Sequence, residues 1–299
     1  MYLIQRSIQY IIVTLVVSWI AAGTAILLGL RITDGLTYTI FAGAYMFLPA
    51  ICAIVLQLIH KEKPFSELGI SFRLNRWWLV AGIVPIVLAF LTLGINLLFP
   101  NVSYSATSEG LLSRITPEQA QLVTQQVTRY SPFVFVLLQI LNSLIAGYTI
   151  NAIFAFGEEL GWRGYLLKAL QDKRFLFVSL IIGAVWGVWH FPLILLGHNY
   201  PQHPVVGVVM MIIFCILLTP IMIYIVIKAR SVITAAIFHG VLNAIGGISL
   251  MFLAGGNDLT NGLTGLAGFI VLLLANIAFY LFDKHIAKDN IFTKEIWRA

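Results

Sequence analysis

The sequence predicts an all-α fold, a polytopic membrane bundle of about eight helices with both termini in the cytoplasm. Three observations predict it. Of the 299 residues, 60% are hydrophobic and 10% are charged, and mean hydropathy is +0.95; a soluble domain carries about 25% charged residues. Apolar runs long enough to cross a bilayer recur along the chain. The basic residues collect in every second connection between those runs.

The first run, about 7–30, is too long for the apolar core of a signal peptide and has no small-x-small cleavage site behind it. It is expected to stay as the first span. Seven more follow, at about 36–59, 77–99, 132–157, 175–196, 205–227, 231–254 and 264–282. Each is near or above the ~20 residues that cross a ~30 Å hydrocarbon core as a helix. With the N-terminus inside, the inner segments hold Arg6; Lys61, Lys63, Arg73 and Arg76; Arg163, Lys168, Lys173 and Arg174; Lys228 and Arg230; and Lys284, Lys288, Lys294 and Arg298. That is 15 of the 18 Lys and Arg, leaving Arg31, Arg114 and Arg129 outside. The positive-inside rule therefore puts both termini in the cytoplasm.

The longest outer segment, about 100–131, is polar and contains "TPEQAQLVTQQVTRYSP". Thr116 as N-cap with Pro117 at the first helical position predicts a short surface helix. Asn101-Val-Ser103 fits a glycosylation sequon, a pattern too short to weigh much. There is no fixed-period repeat, low-complexity tract or soluble unit. Residues 1–299 read as one membrane domain, with its motif-bearing core at about 130–255. Cys52 and Cys215 both lie in apolar runs, which argues against a disulfide framework or a cysteine metal site. The basic residues are scattered among loops, so the partner they imply is membrane lipid and not nucleic acid.

An ionisable residue inside a bilayer is a functional candidate by default. Three clusters qualify. Glu158, Glu159 and Arg163 lie in "FGEELGWRGYL" (156–166), His190 in "AVWGVWHFPL", and His239 and Asn243 in "AAIFHGVLNAIGG". The other histidines, His60, His198, His203 and His285, fall in loops or at span ends.

Glu158 and Glu159 stand about 100° apart around an α-helix and cannot both face one site. Glu159 and Arg163 are four apart with the acid first, the better order for an ion pair. That pairing leaves Glu158 free to accept a proton as a general base. The plainer reading is that both acids solvate a helix end. His239 and Asn243, also four apart, share a helix face and can donate two hydrogen bonds into one space, as an oxyanion hole requires. Either can instead make an interhelical hydrogen bond, as Asn142, Asn151 and Asn276 are expected to do. Around His190, Trp186, Trp189 and Phe191 read as packing.

Depth gives a cross-check. The basic turn "QDKR" (171–174) puts Glu158 and His190 at similar depth in a hairpin, about 22 Å in, whereas His239 lies only about 14 Å from Arg230. The two agree only if part of 162–174 lies along the membrane interface, which the amphipathic look of "RGYLLKALQDKR" permits.

"EELGWR" resembles the EExxxR motif of the CPBP (ABI) family, the type II CAAX endopeptidases and their bacterial relatives. "WGVWH" resembles its Phe-x-x-x-His motif, with Trp186 where the family usually has Phe, and "HGVLN" its His-x-x-x-Asn/Asp motif. The resemblance covers about residues 156–245. It implies intramembrane peptide-bond hydrolysis on membrane-embedded or prenylated peptides. Glu158 would activate water with help from His190, His239 and Asn243 would bind the oxyanion, and Glu159 and Arg163 would support the site. The family is often labelled a metalloprotease, and the alternative is zinc on Glu158, His190 and His239. The reading preferred here has no metal, because there is no HExxH pairing and Asn243 is a poor zinc ligand. Substitution of Phe by Trp186 is expected to alter pocket shape more than chemistry.

Two other classes compete. A binding or bacteriocin-immunity member of the same family would need no cleavage. An ion-coupled transporter also uses intramembrane Glu and His, yet no inverted repeat or pair of broken helices is visible. The compact chain leans toward a bacterial cell membrane and away from the endoplasmic reticulum.

Overall fold

The computed structural model describes residues 2–65, 67–106, 108, 112 and 117–296. Arg114, Thr116 and Arg298 lie outside the described residues. The architecture is a helical bundle with one two-stranded ribbon, Val102–Tyr104 paired antiparallel with Leu253–Gly255. The helices are α1 (Tyr2–Leu27), α2 (Leu36–Met46), α3 (Leu48–Ile59), α4 (Arg76–Asn96), α5 (Pro117–Arg129), α6 (Pro132–Tyr148), α7 (Ile150–Glu159), α8 (Phe175–Trp189), α9 (Phe191–Leu195), α10 (Pro204–Ala229), α11 (Ile233–Ile245) and α12 (Leu266–Leu281). Pro117 opens α5 as the spacing predicts.

The eight apolar runs become three kinds of element. Six helices are long and apolar enough to cross a membrane: Gln5–Leu27, Leu36–Ile59, Arg76–Asn96, Pro204–Ala229, Ile233–Met251 and Leu266–Ala287. A seventh run is a broken pair, Pro132–Tyr148 and Ile150–Ala169, bent by 52°. The bend sits at Thr149, whose φ of −127° and ψ of −106° leave the helical region. The eighth run yields only Phe175–Trp189, 15 residues long. It stops early because Pro192 has no N–H to give the carbonyl one turn before it, and it starts the short α9 instead. The outward faces carry exposed Ile20, Ile40, Leu79 and Leu273, as a bilayer requires. This is a multi-pass membrane protein.

Leu160–Leu166 continue α7 as a π-helix in which every residue is buried. Ser231 and Val232, which lead into α11, are themselves buried, roofed by the segment 67–75. The Val232 N–H donates to Gly69 O at 2.9 Å, the Ser231 hydroxyl to Ser71 O at 2.6 Å, and Asn75 Nδ2 to Ala229 O at 2.9 Å. His239, nine residues beyond Arg230, contacts Glu159, with Nδ1 2.8 Å from Oε1.

Cys52 and Cys215 are free and buried, as expected. Asn151 Nδ2 donates across to Gly240 O at 3.1 Å and Asn276 Nδ2 to Leu217 O at 2.7 Å, so both make the interhelical bonds expected of them. Asn142 is exposed.

Candidate active site

Glycines set the helix spacing at the site. On α8, Gly183 and Gly187 face α10 so closely that an added Cβ would lie 2.6 Å from Ile216 Cα and 2.5 Å from Ile212 Cα. Small residues four apart let two membrane helices touch backbone to backbone. On α11, a Cβ at Gly240 would lie 2.9 Å from Ala152 N, which presses α11 against α7. The three motif-bearing segments therefore meet as close-packed neighbours. Tyr45 stacks on Trp189 (centroids 4.4 Å apart) and donates to its carbonyl at 3.1 Å, while Trp189 Nε1 donates to Ser18 Oγ at 2.8 Å. These contacts fix the end of α8 that carries His190.

The two glutamates point to different partners, as the 100° separation requires. Glu159, fully buried, accepts from one guanidinium nitrogen of Arg163, with oxygens at 3.2 and 3.1 Å. The other terminal nitrogen of Arg163 donates to Thr219 Oγ1 at 2.9 Å, and that hydroxyl donates to Cys215 O at 2.7 Å. Glu158, also buried, accepts from the indole N–H of Trp186, with Oε2 2.7 Å from Nε1.

Both histidines are held by Nδ1. His190 Nδ1 lies 2.8 Å from Trp186 O, and His239 Nδ1 lies 2.8 Å from Glu159 Oε1. A carbonyl or carboxylate only accepts, so each Nδ1 carries a proton and each Nε2 is left for other chemistry. The Trp186 ring touches both, with centroids 5.7 Å from His190 and 5.5 Å from His239. The structure thus gathers Glu158, His190 and His239 around one indole. Asn243 is exposed one turn farther along α11 from His239.

Two site features differ from the sequence reading. Glu159 is more than the partner of Arg163, because it also holds His239. Trp186, read as packing, is the hydrogen-bond donor to Glu158. The signal available for Trp186 was chemical: an indole N–H buried in apolar surroundings needs an acceptor. Thr219 gave no signal in the sequence, since only the packing of α10 beside the π-helix that carries Arg163 brings the two together.

The fold and this cluster define a multi-pass membrane protein with a buried acid–imidazole centre. The family described as Type II CAAX prenyl endopeptidase Rce1-like matches residues 131–245 of the chain. A protein of Methanococcus maripaludis, CAAX prenyl protease 2, is 50% identical over 44 residues, a stretch that is 14% of this chain and 16% of that protein. Both likenesses cover less than half of the chain, and the stretch shared with the Methanococcus protein is less than a fifth of that protein's length.

Proposed function

We propose that the chain is an intramembrane endopeptidase acting on membrane-associated or prenylated peptides. Glu158 is the general base. Its carboxylate takes a proton from water while the hydroxide oxygen attacks the scissile carbonyl carbon. The carbonyl oxygen becomes an oxyanion, the C–N bond then breaks, and the proton held by Glu158 passes to the leaving amine. His190, neutral with its proton on Nδ1, offers the Nε2 lone pair to the same water. His239 and Asn243 donate to the oxyanion. With Nδ1 committed to Glu159, His239 donates from Nε2 in its doubly protonated form, which an ion pair with Glu159 accommodates.

The observation that carries this reading is the separation of the two acids. Glu159 is committed to Arg163 and His239, whereas among the described residues one oxygen of Glu158 is held, by Trp186. Burial keeps bulk water away and strengthens each polar contact in the cluster. The family match and the relative's printed name support the reaction class. No step here is routed through a metal, and zinc on Glu158, His190 and His239 is the alternative that removal of metal by a chelator would distinguish.

The test uses purified protein in lipid vesicles and a quenched peptide carrying a prenylated cysteine near its C-terminus. Glu158→Gln should lower kcat by about 10²- to 10⁴-fold, the range of a lost general base, with the melting temperature preserved. Cleavage at the wild-type rate by Glu158→Gln removes Glu158 from that role.

A further inference from the structure

Trp186 is in contact with the whole cluster. Its N–H holds Glu158 Oε2 at 2.7 Å and its carbonyl holds His190 Nδ1 at 2.8 Å. Its ring meets His239 edge-on at 5.5 Å, with 70° between the planes. The Arg163 guanidinium lies over the same ring, 4.2 Å from the centroid. Trp186 is 2% exposed, so its N–H is shielded from bulk solvent.

These contacts form a chain: Glu159 holds Arg163, Arg163 covers Trp186, and Trp186 holds Glu158. We propose that Trp186 is a positioning residue for the hydrolysis, its N–H pinning one oxygen of Glu158 so that the other, Oε1, is the one that takes the proton from water. The inference rests on the reading of Glu158 as the base. A carboxylate on two rotatable bonds swings between rotamers unless something holds it, and a misplaced base loses rate without losing substrate affinity. The stacked guanidinium keeps the ring from turning, so the scaffold glutamate steadies the catalytic one through an aromatic plate.

The experiment removes the donor and keeps the shape. Trp186→Phe deletes the N–H along with part of the ring. Benzothienylalanine, incorporated at position 186 by codon suppression, replaces only the N–H with sulfur and so guards against a failure of Phe to pack. Both proteins are assayed on the prenylated peptide in vesicles. A hydrogen bond to a charged group corresponds to about 10- to 100-fold in rate. We expect kcat to fall by about that factor, with KM within about twofold of wild type and the melting temperature within a few degrees. Unchanged kcat in the benzothienylalanine protein overturns the proposal. So does a loss confined to KM or to thermal stability, because that is what a packing role alone would give. Glu158→Gln reports separately on the base: wild-type cleavage there sinks the underlying reading whatever the Trp186 variants do.

Discussion

Glu159 Oε1 lies 2.8 Å from His239 Nδ1 and 3.2 Å from Arg163 Nη1, so one buried carboxylate oxygen serves both an ion pair and an imidazole. The two duties can be separated. Removing either charge alone leaves the other buried and uncompensated, which costs about 3–5 kcal/mol, whereas replacing both by apolar residues is often close to neutral. Glu159→Leu and Arg163→Met should each lower thermal stability strongly, and the double variant should recover much of it. Cleavage should not recover, because His239 has lost its anchor. A double variant with wild-type kcat would reduce Glu159 to a scaffold residue.

Close packing of α8 on α10 is a second point of attack. A methyl group at Gly187 would sit 2.5 Å from Ile212 Cα, a backbone atom that cannot rotate away. Gly187→Ala should cost about 1–3 kcal/mol and lower kcat, since Trp186 and His190 flank it. Gly94 on α4 has nothing within 4 Å of an added Cβ, and Gly94→Ala serves as the control. Thermal melts and initial rates of the two proteins provide the comparison, and equal behaviour would refute the packing argument.

The metal-free mechanism makes its own prediction. Activity of the purified enzyme should persist after dialysis against a strong chelator. Inactivation that zinc reverses would assign Glu158, His190 and His239 as ligands and reject a glutamate acting without a metal.

Outside the spans, His198 gives a pH prediction. It lies in the turn between α9 and α10 with Nδ1 3.0 Å from the Tyr38 hydroxyl, and burial pushes its pKa from 6.5 to about 4. Above pH 6.5 the imidazole is neutral in both states and contributes no pH dependence. As pH falls from 6.5 to about 4, the unfolded chain binds a proton that the folded one refuses, so stability declines. The melting temperature of wild type should drop across that window by more than that of His198→Phe. Parallel curves would show that His198 is not the group responsible.

The sequence by itself determined the all-α multi-pass class, the positions of the three motif segments and the pairing of Glu159 with Arg163. Hydropathy and helical spacing are local properties, and the pairing of Glu159 with Arg163 needs only four residues of one helix. It also determined which short histidine and asparagine patterns were candidates, because ionisable and amide groups in lipid are costly enough to stand out. Tertiary structure decided the rest. The π-helix at 160–166, the start of α11 under Gly69, Ser71 and Asn75, and the bond from Glu159 to His239 all join segments far apart in the chain or depend on packing that no local pattern shows. The role of Trp186 is decided in the same way: its N–H was legible as a need, but its acceptor, Glu158, is 28 residues away in the chain and is specified only by packing.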